Sequence, residues 1–239
     1  MAALVGLLIG TVGVGGVLMV AFLALYGGLS IHQAAATALF SFLFTGLLGT
    51  WLYQRHGSID WRITVPVCVG SVVFGFAGAF AAALVDPKPL SIAIALIIVA
   101  AGIYVFVPVP PAAAPRDGNG PSERPLLLAV GAASGFGSGF SGAGGPLFAV
   151  PIMVILRYVP LTAVAASQVL QIVAAVSGSV ENLRRDFVDW RVAAVITVFE
   201  LVGVIAGARL AHIAKPQTLR VLAGALCIGS GGFLLVRSL

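Results

Sequence analysis

Long runs of apolar residues alternate with short polar stretches along almost the whole chain. Eight such runs can be drawn, at about residues 2–26, 33–53, 63–85, 90–109, 126–157, 161–180, 191–213 and 217–236. Most of them hold about 20 residues, the length of an α-helix that crosses the hydrocarbon core of a bilayer. The pattern predicts an all-α, polytopic integral membrane protein with about eight transmembrane helices.

The chain also consists of two related halves. Residues 13–16, Gly-Val-Gly-Gly, recur 129 residues later as Gly-Ala-Gly-Gly at 142–145, and Asp-Trp-Arg at 60–62 recurs at the same interval at 189–191. A glycine motif and a charged aromatic triplet at one spacing indicate internal duplication. We divide the chain into a first transmembrane repeat (1–109), a cytoplasmic linker rich in proline, glycine and charge (110–125) and a second transmembrane repeat (126–239).

Composition and charge exclude several classes of protein. Hydrophobic residues make up 60% of the chain and charged residues 9%, against about 25% charge in soluble domains. The net charge is +5, and most of the Lys and Arg residues lie between the apolar runs or at their ends. There they serve as topology signals, so we expect no nucleic-acid partner. Cys68 and Cys227 lie inside apolar runs without metal or disulfide spacing. We predict no cofactor, no metal site and no catalytic residue.

The distribution of Lys and Arg predicts the orientation. With eight crossings, eight basic residues share a side with both termini and five lie on the other side, which favours cytoplasmic termini in a bacterial inner membrane. The two Asp-Trp-Arg loops then lie on one side, so the repeats would run parallel. If the first run of each repeat were instead a re-entrant hairpin, the repeats would be inverted; the basic residues beside both loops argue against that arrangement.

Glycine clusters should interrupt the first helix of each repeat. The run 126–157 would form a helix of about 48 Å at 1.5 Å per residue, too long for one straight span, and its glycines at 135–145 end in Pro146, which breaks a helix. A half-helix that begins inside the membrane directs N–H groups and a positive dipole end at an anion. The alternative is that these glycines only allow close helix packing. The candidate substrate-binding glycines are Gly13, Gly15, Gly16, Gly142, Gly144 and Gly145.

Polar side chains inside the apolar runs are further candidates. Ser167 and Gln171 are four residues apart and therefore share a helix face; hydrogen bonding between helices is the alternative role. Glu200 is the single acid well inside an apolar run, where an ionised carboxylate is costly, so it is a candidate for proton coupling or a hydrogen-bonded structural acid. The side chains assigned to substrate binding are Thr37, Ser41, Ser141, Ser167, Gln168 and Gln171.

At these residues the chain resembles the sulfite exporter TauE/SafE family, also described as toluene-sulfonate uptake permeases. The resemblance rests on Gly-x-Gly-Gly early in each half, Ala-Ala-Thr37 and Ala-Ala-Ser167, the Asp-Trp-Arg loops and a proline-led final helix in each half. It implies transport of small sulfur-containing anions such as sulfite, sulfoacetate or organosulfonates. Family members carry prolines after the glycines in both halves; Pro146 and Pro151 match, but Val17 and Ala21 stand at the first-half positions.

The sequence therefore predicts a secondary transporter that exports small sulfur-containing anions, with sulfite favoured and proton coupling through Glu200 as a hypothesis. A passive anion channel is one alternative. A membrane-embedded enzyme is another, and it would need an acid–base pair or metal cluster that the apolar runs do not offer. The expected partners are the anion and membrane lipid, and a homo-oligomer stays open.

Overall fold

A computed structural model describes residues 1–12, 15–106, 123–213, 225, 228–229 and 231–236. Within these ranges the chain is helical and contains no strand, which confirms the predicted all-α class. The helices are α1 (Ala2–Val12), α2 (Gly16–Tyr26), α3 (Ile31–Arg55), α4 (Trp61–Leu84), α5 (Pro87–Phe106), α6 (Glu123–Ser141), α7 (Pro146–Ile155), α8 (Pro160–Arg184) and α9 (Trp190–Ile213). Gly13, most of the predicted linker and most of the last apolar run lie outside the described residues.

Four of these helices are long and apolar enough to cross a bilayer. They are α3, α4, α8 and the part of α9 from Trp190 to Ala211, with 22 to 25 residues each. Shorter apolar helices cover Ala2–Thr11, Gly16–Tyr26, Pro87–Ala100 and Pro146–Ile155. Together they confirm a polytopic membrane protein.

The repeated Asp-Trp-Arg triplet begins α4 and α9. The Asp60 carboxylate accepts a hydrogen bond from the backbone N–H of Arg62, and that of Asp189 accepts from Arg191 and Val192. Each aspartate thus satisfies N–H groups in a first helical turn that has no intrahelical partner. The triplet is a helix start, with its tryptophan half-exposed in each copy.

The first apolar run of each repeat is broken, as predicted, and then folds back on itself. A Cβ atom added to Gly15 would lie 2.8 Å from the carbonyl oxygen of Val5, which places the start of α2 beside α1. In the second repeat a Cβ at Gly137 would lie 2.8 Å from the ring of Phe148, which places α7 beside α6. Each run is therefore a re-entrant hairpin.

The second hairpin turns at glycines that the backbone requires. Gly142 and Gly144 have φ angles of 67° and 84°, in the left-handed region that other residues adopt at a steric cost. Pro146 occupies the first turn of α7, where its missing N–H costs nothing. Local sequence chemistry alone therefore fixes this break.

The long helices α3 and α8 run antiparallel, which contradicts the predicted parallel repeats. Leu39 packs against Gly178, Phe42 meets Gln171 near the middle of both helices, and Gly49 packs against Gln168. Residue numbers rise along one helix as they fall along the other. Because α3 and α8 are corresponding helices of the two repeats, the repeats are inverted, related by an axis in the membrane plane.

Reciprocal packing of the hairpins follows from this inversion. The first half of each hairpin lies parallel to a long helix of the other repeat. Helix α1 packs against α9, where Gly6 contacts Glu200, and helix α6 packs against α4, where Gly135 contacts Ser71. These two contacts correspond residue for residue at the 129-residue interval. Glycines at the contact let the backbones approach closely, so neither repeat buries its hairpin without the other.

The inversion also removes the basis of the charge argument. The end of α3 lies on one side of the molecule, here called the Arg55 side, with the starts of α6 and α8. The start of α3 lies on the other, the Ser30 side, with the end of α8. Arg55 and Arg62 are thus on the opposite side from Arg184, Arg185 and Arg191, whereas the prediction had counted them together. The error arose because the count assumed that the first run of each repeat crosses.

Candidate functional site

The two helix breaks meet in the middle of the molecule. A Cβ at Gly16, where α2 begins, would collide with the carbonyl oxygen of Ala143 in the second break. The ring of Phe42 lies against both breaks, 2.9 Å from such an atom at Gly16 and 3.3 Å from one at Gly144. The chain thus brings together two glycine clusters that are 129 residues apart.

Both half-helices begin here without a side-chain cap. Gly15 and Gly145 occupy the N-cap positions of α2 and α7, and no side chain accepts a hydrogen bond at either cap. Since α2 returns to the Ser30 side and α7 to the Arg55 side, their N-terminal ends approach each other from opposite halves of the membrane. Uncapped N–H groups and two positive dipole ends make the junction favourable for an anion.

The two glutamines cross-link the helices around this junction. The side-chain amide of Gln171 donates to the carbonyl oxygen of Phe42 at 3.0 Å and to the hydroxyl of Thr45 at 2.7 Å. The side-chain amide of Gln168 donates to the carbonyl oxygen of Ile9 at 3.2 Å, while the Gln168 side-chain oxygen has no partner within the described ranges. In this conformation both side chains make the interhelical hydrogen bonds that were the alternative to substrate binding.

Gln168 and Tyr53 donate hydrogen bonds to backbone carbonyls at the C-terminal end of α1. The Tyr53 hydroxyl donates to the carbonyl oxygen of Gly10 at 2.8 Å, next to the Ile9 carbonyl that Gln168 binds. The last carbonyls of a helix have no intrahelical partner, and inside a membrane no bulk water replaces it. The sequence did not single out Tyr53, Phe42 or Thr45, and only their place inside apolar runs could have drawn attention to them.

The predicted hydroxyl side chains occupy three different environments. Thr37 accepts a hydrogen bond from the backbone N–H of Asp189 at 3.0 Å and so holds the start of α9. Ser41 and Ser167 each donate to a carbonyl of their own helix at 2.8 Å. Ser141 donates to Gly137 and accepts from the N–H of Ala143, so it stabilises the second break itself.

Glu200 is fully buried, and among the described residues its carboxyl group has no hydrogen-bond partner. It lies on α9 against Gly6 of α1, with neither carboxyl oxygen bonded. The Ser41 side chain lies close to this carboxyl group, but its hydroxyl is directed to Ala38. An ionised carboxylate without a partner is costly in an apolar interior, so this group is suited to hold a proton.

The described part of the chain contains no group of three or more His, Cys, Asp or Glu side chains that could hold a metal ion. Gly13 lies outside the described residues. The described candidates that meet at the junction are Gly15, Gly16, Gly142, Gly144, Gly145, Gln168 and Gln171. Ser41 stands with Glu200, and Thr37 belongs to the start of α9.

Comparison with known proteins agrees with this architecture. Residues 1–234 match the family model described as Sulfite exporter TauE/SafE. The chain is 26% identical over 221 residues to a protein of Bacillus subtilis (strain 168) named "Probable membrane transporter protein YdhB". The aligned region covers 91% of this chain and 90% of that protein. No solved structure matches the chain. With its two halves, its broken helices and nearly its whole length inside the match, the chain belongs to the TauE/SafE sulfite exporter family of membrane transporters.

Proposed function

We propose that this transporter exports small sulfur-containing anions, with sulfite favoured over sulfoacetate and organosulfonates, across a bacterial inner membrane. The family supports a small anionic substrate. The observation that carries the proposal is the meeting of two uncapped half-helix starts at Gly16 and Ala143. Discontinuous helices whose N-terminal ends face a common point are a recurrent way for transporters to hold an anion at the bilayer midplane.

The close packing at the junction fits an occluded or empty state. Gly16 and Ala143 leave no room between them for even one additional methyl group. The anion would enter when the two hairpins separate, and inverted repeats allow either side to open by the same movement. In that state the amide of Gln171 could exchange its Phe42 carbonyl partner for the anion.

Glu200 is the proposed site of proton coupling. It is buried, unbonded and beside Ser41, and it packs on the hairpin half that leads into the first break. Protonation there removes a charge at the contact between α1 and α9, so the proton can bias whether the hairpin stays docked. A proton bound on one side and released on the other would then drive the anion.

Purified protein in proteoliposomes tests this function against that of a channel. An imposed proton gradient should move sulfite against its own concentration gradient, and collapse of the proton gradient with an ionophore should stop that movement. Sulfate, thiosulfate and a sulfonate serve as competing anions and rank the substrates. Sulfite that only equilibrates, whatever the proton gradient, would identify a passive channel and remove the coupling role of Glu200.

Once the repeats are inverted, the distribution of basic residues no longer supports the prediction that both termini are cytoplasmic. Among the described residues, five basic residues lie on the Arg55 side (Arg55, Arg62, Arg124, Arg157 and Arg209) and four on the Ser30 side (Lys88, Arg184, Arg185 and Arg191). A difference of one charge favours neither orientation strongly. Labelling of single cysteines at the ends of α3 and α8 from one side of the membrane determines the orientation.

A further inference from the structure

Three serine hydroxyls near the second break are buried without a hydrogen-bond partner in the part of the chain that the structure describes. They belong to Ser134 and Ser138 of α6 and to Ser71 of α4, and all three side chains have 0% exposure. The Ser71 hydroxyl oxygen lies 2.7 Å from the position of a Cβ on Gly135, so it faces α6 at the residue that follows Ser134 in the chain. Ser138 is one turn before Gly142, whose N–H binds the Ser138 carbonyl.

A buried hydroxyl in an α-helix ordinarily donates to a carbonyl one turn back, as Ser41, Ser141 and Ser167 do here. An unsatisfied buried polar group costs about 1–3 kcal/mol. Thr50 and Ser179 carry such hydroxyls as well. A bound molecule would satisfy the three that belong to α4 and α6.

The first repeat shows that the fold does not need these hydroxyls. At the 129-residue interval, Ser134 corresponds to Val5 and Ser138 to Ile9. Both apolar residues are buried in the core, at 1% exposure each. The same backbone contact is therefore made with apolar side chains in one repeat and with hydroxyls in the other, and the hydroxyls serve a purpose other than packing.

The counterpart of Ser71 is Glu200, at the same contact in the other repeat. The two symmetry-related positions thus carry different chemistry: a carboxyl group that can hold a proton, and a neutral hydroxyl that can donate a hydrogen bond. A hydroxyl beside further hydroxyls suits an oxyanion, whereas a carboxylate would repel it.

We propose that Ser71, Ser134 and Ser138 form a hydroxyl-lined part of the substrate site, one to two turns before the second break, which donates hydrogen bonds to the oxygen atoms of a small oxyanion. This rests on the proposed function of the junction and adds residues that bind the same anion. The two symmetry-related contacts would then have different roles. The contact between α4 and α6 binds the anion, and the contact between α1 and α9 binds the proton.

The first test compares alanine variants in stability and in transport. Ser134→Ala and Ser138→Ala should unfold at the same temperature as the wild type or higher, because each removes an unsatisfied group. Their KM for sulfite should rise about tenfold, the loss expected for one hydrogen bond to a charged group. Ser177→Ala is the matched control, because its hydroxyl already donates to Ala174, and its KM should not change.

The second test does not depend on transport. In a background of Cys68→Ala and Cys227→Ala, Ser138→Cys should react with a small, membrane-impermeant, anionic thiol reagent about tenfold faster than Ile9→Cys, since thiol reactivity follows access. Ile9 is the corresponding position of the other repeat. Ser134→Cys and Val5→Cys form a second matched pair.

The two tests separate the failure of this proposal from that of the proposed function. If the wild type does not move sulfite but Ser138→Cys still reacts faster than Ile9→Cys, the result supports the hydroxyl site and refutes the proposal that sulfite is the substrate. If sulfite is transported, the alanine variants keep the wild-type KM and the two cysteines react equally, the hydroxyl site is overturned while the transporter stands.

Discussion

At the scale of single residues, the protein places a few polar groups in an apolar interior and satisfies only some of them. Gln171 makes two hydrogen bonds and Tyr53 binds a helix end. Among the described residues, the carboxyl group of Glu200 and the hydroxyls of Ser71, Ser134 and Ser138 are buried without a partner, as are those of Thr50 and Ser179. Satisfied groups hold helices together, and unsatisfied ones are available to a proton or a substrate. Our proposals for Glu200 and for the three serines Ser71, Ser134 and Ser138 start from this division.

Replacement of Glu200 by glutamine tests the proton site. The amide keeps the shape of the side chain but cannot exchange a proton, so Glu200→Gln should abolish uphill sulfite movement driven by a pH gradient. Sulfite binding should persist. Asp86→Asn, an exposed acid between α4 and α5, is the control and should leave coupling intact. Full uphill transport by Glu200→Gln would contradict the assignment.

Replacement of Tyr53 by phenylalanine tests a structural polar group. The change removes the hydroxyl that binds the Gly10 carbonyl and leaves that carbonyl at the end of α1 without this partner. The free energy of unfolding should fall by about 1–3 kcal/mol. Thermal unfolding in detergent measures the loss; an unchanged midpoint would mean that another group satisfies the Gly10 carbonyl.

At the scale of helices, local chemistry and long-range packing were predictable to different degrees. Glycine and proline act on their own neighbourhood, so the break before Pro146 could be predicted from the sequence. The fold-back of α2 along α1 could not, because an apolar run carries no information on direction. The bond between Gln168 and Ile9 joins residues 159 positions apart, and only the packed fold reveals it.

The glycine contacts between helices give a prediction at this scale. A Cβ at Gly135 would lie 2.7 Å from the Ser71 hydroxyl and 2.8 Å from the Ser71 Cα, so Gly135→Ala must separate α6 from α4. Such overpacking costs about 1–3 kcal/mol, and the folded yield and the unfolding midpoint should both fall. Gly232→Ala is the control, because nothing lies within 4 Å of its added Cβ. Equal midpoints for both variants would refute the close approach of α4 and α6.

At the scale of the whole molecule, the repeats are inverted, and the sequence alone does not reveal this. A charge count gives an orientation only if the number of crossings is known, and a re-entrant hairpin changes that number without changing the hydropathy of the run. Contacts between α3 and α8 fix their directions independently of charge. The two similar repeats then face opposite sides of the membrane, a symmetry that favours alternating access.

Single cysteines at the ends of the two corresponding helices test this topology. In a background of Cys68→Ala and Cys227→Ala, Gln54→Cys marks the end of α3 and Arg184→Cys the end of α8, and both positions are exposed. A membrane-impermeant thiol reagent added to right-side-out vesicles should label one of them and spare the other. Labelling of both from the same side would restore parallel repeats. The labelled side also gives the orientation of the protein.

The central claim is that an anion binds where the two helix breaks meet, and sulfite binding to purified Gly144→Ala and Gly232→Ala measures it most directly. Gly144 has a φ of 84° at the junction, whereas Gly232 lies in open space. Alanine is strained at such a φ by about 1–2 kcal/mol, so the second break must shift. We predict that Gly144→Ala weakens sulfite binding about tenfold or more while Gly232→Ala binds as the wild type does. Equal affinities in a folded Gly144→Ala protein would contradict the site.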